Sequence, residues 1–137
     1  MKLFLDTNVV VDFCARREPF FQDAATIIDM GYRKEVELII SALTFVNVAY
    51  VLRKVMSQEM VLTKLFSLME ICQVSPIDGE ALKAAARSGS KDFEDAVQYF
   101  SAINRYADII ITRDASGFKE FNIPVQSPSV FLANCLS

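Results

Sequence analysis

The chain of 137 residues contains no histidine, and this absence removes several classes of enzyme. A Ser-His-Asp or Cys-His nucleophile, a zinc site of the HExxH type and an imidazole general base all require a histidine side chain. The GxGxxG fingerprint of dinucleotide binding is also absent, and so is the lysine motif of P-loop proteins. Catalysis by this chain therefore has to use carboxylates, hydroxyls or a bound cation.

Cysteine is scarce and long apolar runs are missing. Cys14, Cys72 and Cys135 are widely separated and odd in number, which is typical of small buried hydrophobic residues in a reducing compartment rather than of disulfides or a zinc site. No apolar run reaches the roughly 20 residues that a membrane helix needs, and the N-terminus lacks the pattern of an export signal. We therefore expect a cytoplasmic protein without a membrane segment.

The balance of composition predicts a folded chain. Hydrophobic residues make up 53% of the sequence, and a chain of 137 residues has the usual size of one domain, so residues 1–137 are expected to form a single domain. The formal net charge of −3 provides no general attraction to nucleic acid. Binding of a polyanion would require acids neutralised by metal and clustered basic residues.

Short β-rich runs alternate with helical patterns along the chain. The predicted strands are Leu3–Leu5, Val36–Ile40, Cys72–Val74, Asp108–Thr112 and Ile123–Val125. Helices are expected between them, one starting at Pro19, and N-caps are predicted at Ser41, Ser57, Asp78 and Ser127. The alternation predicts a three-layer α/β/α sandwich with a central, mainly parallel sheet.

Several carboxylates fall at the carboxyl edge of this predicted sheet, where ligands of open α/β sheets bind. Asp6 ends the first strand, and Asp114 follows the fourth. Asp92 and Asp95 begin the long helix that leads into the fourth strand. Each acid also has a purely structural explanation, as a helix cap, a first-turn charge or a turn former.

The conjunction of these acids favours a metal site. Several carboxylates at one edge would repel one another and raise one another's pKa. A hard divalent cation such as Mg²⁺ or Mn²⁺ prefers oxygen ligands and would neutralise them. Without histidine, such a cluster is suited to metal-assisted chemistry on phosphate esters.

Four blocks of the sequence carry a resemblance to a known family. They are FLDTNVVVDF at the start, SALTFVNVAYVL after the second predicted strand, DFEDAVQYFSA in the long helix and ADIIITRDASGF around the fourth strand. In this order and spacing they resemble the PIN-domain family, which includes the VapC-type toxins of bacterial toxin–antitoxin pairs. The resemblance covers essentially the whole chain and implies the same α/β/α fold.

The resemblance assigns roles to individual residues. By this resemblance, Asp6, Asp95 and Asp114 correspond to the metal-site acids of the family. Asp92 is an additional carboxylate beside them, and all four acids are candidate metal-binding and catalytic residues. Asn8 would orient Asp6, and the hydroxyl of Thr112 would help to position water or metal. Mg²⁺ or Mn²⁺ is the implied cofactor.

Asn47 departs from the family pattern, since many members carry a glutamate in this helix after the second strand. An amide oxygen can bind a cation but brings no negative charge, so weaker metal binding is expected unless Asp92 or Glu94 compensates. Arg16, Arg17 and Arg113 are candidate phosphate contacts. Solvated surface is the commoner explanation for each arginine taken alone.

The resemblance implies a divalent-metal-dependent endoribonuclease that hydrolyses RNA phosphodiester bonds. An antitoxin protein is its candidate partner, as in a toxin–antitoxin pair, and a homodimer is the expected assembly. The alternative is a catalytically weak or inactive PIN-like module that binds RNA or a protein, which Asn47 and the acidic composition favour. A small-molecule phosphatase that uses the same edge is a third reading.

Overall fold

Five short strands form one sheet in the part of the chain that the structure, a computed structural model, describes (residues 1–136). The strands are β1 (Lys2–Leu5), β2 (Glu37–Ser41), β3 (Cys72–Ser75), β4 (Ile109–Ile111) and β5 (Val125–Gln126). Their order in the sheet is β3-β2-β1-β4-β5, and each neighbouring pair is parallel. The sheet was expected to be mainly parallel, and it is entirely so.

Helices connect the strands, and polar caps set several of their starts. The helices are α1 (Thr7–Cys14), α2 (Phe21–Tyr32), α3 (Ala42–Leu52), α4 (Gln58–Ile71), α5 (Gly79–Arg87), α6 (Phe93–Asn104) and α7 (Pro128–Cys135), with a 3₁₀ turn at Ala115–Phe118. Ser41, Ser57, Asp78 and Ser127 each accept a backbone N–H of the helix that follows, as predicted. No helix within residues 1–136 is long and apolar enough to cross a membrane.

The start of α2 differs from the prediction. The helix begins at Phe21 rather than at Pro19. Pro19 lies instead in a turn that the hydrogen bond from Phe20 N to Arg17 O closes, at 3.0 Å. The difference shortens the helix but leaves its apolar face, with Ala24, Ile27 and Ile28 buried as the pattern predicted.

Different helices cover the two faces of the sheet. Leu3 and Leu5 point to one face, where they pack in a core with residues of α1, α2, α3, α4 and α7. Phe4 points to the opposite face and packs with Ile39, Ile110 and residues of α6 and the 3₁₀ turn. Alternate residues of β1 thus enter two separate cores, which confirms the three-layer α/β/α architecture.

The register of the central strands determines what meets at the carboxyl edge. Leu5, at the end of β1, pairs with Ile111 at the end of β4. The ladder continues for one more hydrogen bond, from Asp6 N to Ile111 O at 3.0 Å. Asp6 and Thr112 are therefore neighbours immediately beyond the sheet, and α3 starts at the same edge after β2.

Candidate active site

Asp6 is a nearly buried carboxylate, with 8% of its surface exposed. Its Oδ1 accepts a hydrogen bond from Thr7 N at 2.8 Å and so caps α1. Its Oδ2 accepts one from Thr112 Oγ1 at 2.8 Å. Burial raises the pKa of Asp6, and these hydrogen bonds act in the opposite direction. The predicted cap is present, and it holds the carboxylate at the edge of the sheet.

Asp92 and Asp114 are also held by local hydrogen bonds. Asp92 Oδ1 accepts from Asp95 N at 3.0 Å and caps α6. Asp114 Oδ1 accepts from Ser116 Oγ at 2.6 Å and from Ser116 N at 3.1 Å. The hydrogen bonds from Ser116 lower the pKa of Asp114. The structural roles considered for these acids are therefore real, and they fix carboxylates around the same edge.

A cavity of about 360 Å³ opens at this edge. Its wall includes Asp6, Asn8, Arg17, Val51, Asp92, Glu94, Asp95 and Asp114. All four predicted acids thus line one space, and Glu94 adds a fifth carboxylate to it.

Burial and repulsion between neighbouring carboxylates raise the pKa values of acids in the cavity. The pKa of Asp95 is raised to about 7, chiefly by burial. Neighbouring carboxylates contribute to the rise, namely Asp92, Asp6, Glu94 and Asp114. The pKa of Glu94 is raised as well, by burial first and then by the charges of Asp6 and Asp92. These neighbouring carboxylates thus repel one another, and their hard oxygen donors fit Mg²⁺ or Mn²⁺. Within residues 1–136, no group of three or more Asp, Glu or Cys side chains is already arranged to bind a metal ion.

A buried glutamine contacts the acid site from the core side, and this contact was not predicted from the sequence. Gln98 of α6 is fully buried, and its Nε2 donates to Thr44 Oγ1 at 2.8 Å and to Thr7 Oγ1 at 3.2 Å. The same nitrogen lies 3.5 Å from Asp6 Oδ1. Gln98 Oε1 accepts from Ser41 Oγ at 2.6 Å. A sequence signal existed, because Gln98 occupies the core-facing side of an amphipathic helix, where a polar residue needs partners.

Asn8 and Thr112 form a second support for Asp6. Asn8 Nδ2 donates to Thr112 Oγ1 at 3.0 Å, and Asn8 Oδ1 accepts from Arg113 N at 3.1 Å. Thr112, which is 1% exposed, in turn donates to Asp6. Asn8 therefore acts on Asp6 through Thr112.

The three predicted phosphate contacts have different surroundings. Arg17 lies in the wall of the cavity. The Arg16 guanidinium lies over the ring of Phe21, 5.3 Å from its centre. Arg113 is held by buried Asp12, with Nε 2.6 Å from Asp12 Oδ2, and it stacks on an aromatic ring on its other side. Arg17 is thus the arginine of the three that the structure places beside the acids.

Asn47 lies half-buried on α3. The cavity wall on this helix is formed by Val51, one turn further along. The supporting role of Asn47 in the site stays a prediction.

The architecture defines a structural class: a parallel α/β/α sandwich with a carboxylate-lined cavity at the carboxyl edge of its central strands. The model of the PIN domain family matches residues 2–116. The chain belongs to the PIN-domain family. The matched segment contains all four predicted acids. No curated protein sequence matches the chain significantly.

Solved structures share this fold. A toxin–antitoxin complex from Klebsiella pneumoniae aligns with a TM-score of 0.69 and 18% identity, over 92% of this chain and 97% of that chain. VapBC2 from Rickettsia felis, bound to a DNA fragment from its promoter, aligns with a TM-score of 0.68 and 16% identity, over 93% of this chain and 98% of that chain. VapC20 from Mycobacterium tuberculosis, a sarcin-ricin loop cleaving toxin, aligns with a TM-score of 0.66 and 11% identity, over 84% of this chain and 92% of that chain. At these identities the likeness is one of fold.

Proposed function

We propose that the protein is a divalent-metal-dependent endoribonuclease that hydrolyses RNA phosphodiester bonds. The observation that carries the proposal is the meeting of Asp6, Asp92, Asp95 and Asp114 in one cavity of a PIN domain. Such a concentration of carboxylates costs folding free energy through burial and repulsion, as the raised pKa of Asp95 indicates. A site that binds a cation during function accounts for that cost.

The acids divide between metal binding and proton transfer in this proposal. Asp6, Asp95 and Asp114 would hold one or two Mg²⁺ or Mn²⁺ ions, with Asp92 in support. A bound ion supplies Lewis acidity toward water and neutralises charge at the scissile phosphate. Asp92, at the exposed start of α6, would accept the proton of the attacking water. In-line attack of this water breaks the bond from phosphorus to O3′ and leaves a 5′-phosphate and a 3′-hydroxyl.

The other polar side chains orient these groups and the substrate. The hydroxyl of Thr112 fixes Asp6 Oδ2, and Ser116 fixes Asp114 Oδ1. Arg17 is the arginine placed to contact a phosphate of RNA in the cavity. Arg16 and Arg113 stay candidate phosphate contacts outside the cavity, and Arg113 is already paired with Asp12.

A protein partner is part of the proposal. Large apolar side chains are exposed on α3 and α4, namely Val46, Tyr50, Met60, Leu62, Phe66 and Met69. Exposed apolar surface of this kind is typical of protein contact sites. Structural neighbours of the chain are toxin–antitoxin complexes. We therefore propose that the protein is the toxin of such a pair, with an antitoxin and a second copy of the chain as its protein partners.

The deciding experiment compares the wild type with Asp6→Asn on a labelled structured RNA, in Mn²⁺ and in EDTA. We expect the wild type to cleave in Mn²⁺ and not in EDTA. Asp6→Asn should stay folded, because asparagine is also a good N-cap, but it should not cleave. Asp29→Asn is the matched control, since Asp29 is a surface acid paired with Arg33, and it should cleave like the wild type.

Two results would contradict the proposal. Metal-dependent cleavage retained in Asp6→Asn would remove Asp6 from the site. RNA binding by the wild type without cleavage in any divalent metal would instead support a PIN-like binding module, which the uncharged Asn47 favours.

A further inference from the structure

The carboxylate of Asp95 lies against the backbone of Gly117 in the 3₁₀ turn. A Cβ atom placed on Gly117 would lie 2.6 Å from Asp95 Cγ and would overlap Asp95 Oδ2. Non-bonded carbon atoms pack at about 3.5–4.0 Å, so both groups cannot occupy this space. The Asp95 carboxylate therefore fills the volume that the first side-chain carbon of any other residue at 117 would take.

Space, rather than backbone conformation, is what requires glycine here. Among the described glycines, Gly89 has a left-handed φ of 73°, whereas Gly117 is not in that region. An alanine at 117 would thus meet no intrinsic backbone strain. Its cost would come from its contact with Asp95.

The backbone on both sides of this contact is held in place. Phe118, which follows Gly117, is 1% exposed and packs in the core with Phe4 and Ile110. The other end of the turn is held by the hydrogen bonds between Ser116 and Asp114. On the facing element, the cap at Asp92 fixes the start of α6. A side chain at 117 would therefore displace the Asp95 carboxylate itself.

We propose that Gly117 is a positioning residue for Asp95. By contributing no side chain, it seats the Asp95 carboxylate against the turn that begins at Asp114, and so sets how closely these two acids approach. The inference rests on the proposed function insofar as the seated pair serves to bind a divalent cation. The steric role of Gly117 depends only on its contact with the Asp95 carboxylate.

The first test compares Gly117→Ala with Gly79→Ala, both as the full chain. Gly79 begins α5, and a Cβ there would meet nothing within 4 Å, which makes it a matched control. We expect Gly117→Ala to weaken Mn²⁺ binding at least tenfold in calorimetric titration and to lower the melting temperature of the metal-free protein. Gly79→Ala should bind Mn²⁺ like the wild type and melt at the same or a higher temperature, since alanine favours helix.

A double-mutant cycle separates positioning from general destabilisation. Asp95→Ala removes the carboxylate and leaves only its Cβ, 3.1 Å from the Cβ position at 117. Gly117→Ala should therefore lower the melting temperature less in the Asp95→Ala background than in the wild type, because only this tight Cβ contact remains. If Gly117→Ala fails to fold, a folded double variant gives the same answer.

The outcomes that overturn the inference are distinct from those that overturn the proposed function. Wild-type Mn²⁺ affinity in Gly117→Ala, or an equal loss of melting temperature in both backgrounds, would show that Gly117 does not seat Asp95. A wild type that binds no Mn²⁺ would contradict the proposed metal site. The metal-free melting cycle would then still decide whether Gly117 seats Asp95, because it needs no cation.

Discussion

At the scale of single residues, Gln98 has the most demanding environment beneath the acid cavity. Its amide joins α6 to Thr7 of α1 and to Ser41 and Thr44 at the start of α3. All of these polar atoms are removed from bulk water to a large degree, and a buried polar group without a partner is costly. The hydrogen bonds of Gln98 therefore matter to the free energy of folding as well as to the placement of Asp6.

Replacement of Gln98 by leucine should lower the free energy of unfolding. Leucine fills similar space but leaves the hydroxyls of Ser41 and Thr44 with fewer partners, and we expect a loss of about 1–3 kcal/mol. Urea denaturation at pH 7 measures the change. Gln22→Leu, at an exposed position on α2, is the control and should change stability by less than about 0.5 kcal/mol. Equal stability of the two variants would refute the structural role of the network.

At the scale of elements, one ion pair fastens α1 to the segment after β4. Asp12, 1% exposed, receives both Nε and a terminal nitrogen of Arg113, at 2.6 and 3.2 Å. The guanidinium also stacks on Phe20, 4.0 Å from the ring centre. Because Arg113 lies between Thr112 and Asp114, the pair holds in place the segment that carries both residues.

Arg113→Met should destabilise the fold by leaving the Asp12 charge buried alone. Breaking a fully buried pair costs roughly 3–5 kcal/mol, and we expect about 2 kcal/mol here because Arg113 keeps partial access to water. The double variant Asp12→Leu/Arg113→Met should recover part of this loss, since no charge is then stranded. Chemical denaturation of both variants provides the test.

A surface pair is the control for this prediction. Arg33 contacts Asp29 and Glu35 with more than half of its side chain exposed, so Arg33→Gln should change stability by less than about 1 kcal/mol. If Arg113→Met changed stability no more than Arg33→Gln but weakened RNA binding, Arg113 would be a phosphate contact rather than a residue that holds the segment in place.

The helix starts with a side-chain cap were predictable because their causes are local. Ser41 and Ser57 cap backbone N–H groups only three residues further along, at Thr44 and Met60. The edge position of Asp6 followed equally from an acid directly after an apolar strand. A short stretch of sequence contains both a capping side chain and the backbone N–H that it caps, or both an apolar strand and the acid that follows it. For this reason the fold and the location of the acids could be predicted.

The unpredicted features depend on partners far away in the chain. Gln98 and Thr7 are separated by 91 positions, and Arg113 and Asp12 by 101. In sequence, the position of Gln98 on α6 indicates that it needs polar partners but not which ones, and Gly117 resembles an ordinary turn glycine. Only the packing of α6 against the sheet and the 3₁₀ turn shows that the first has four polar neighbours and the second a carboxylate.

At the scale of the whole molecule, the burial and crowding of acids at one edge make the stability of the metal-free protein depend on pH. The pKa of Asp95 is raised from its ordinary 3.8 to about 7, and those of Asp6 and Glu94 are raised as well, whereas that of Asp114 is lowered. A group with a raised pKa binds its proton more tightly when folded. Its stabilising contribution is complete below the unfolded pKa and is lost as pH rises through the folded pKa.

The metal-free protein should therefore be less stable at pH 8 than at pH 5, with the decline between about pH 4 and 7. Asp95→Asn should flatten this decline, because the main titrating group is gone. Thermal melting in EDTA over a series of buffers checks both statements. An identical pH profile in the wild type and in Asp95→Asn would show that another group controls the titration.

The central place of β1 in the sheet has a consequence for how the protein is made. Asp6 precedes β4, the strand that aligns it, and the turn at Asp114 by about a hundred residues, so a ribosome synthesises these partners well after Asp6. Chains grow at roughly 5–20 residues per second, so for several seconds Asp6 exists without its neighbours. An unfinished chain cannot assemble the acid cavity. If the protein cleaves RNA, the message and the ribosome that produce it are therefore spared until synthesis has passed β4.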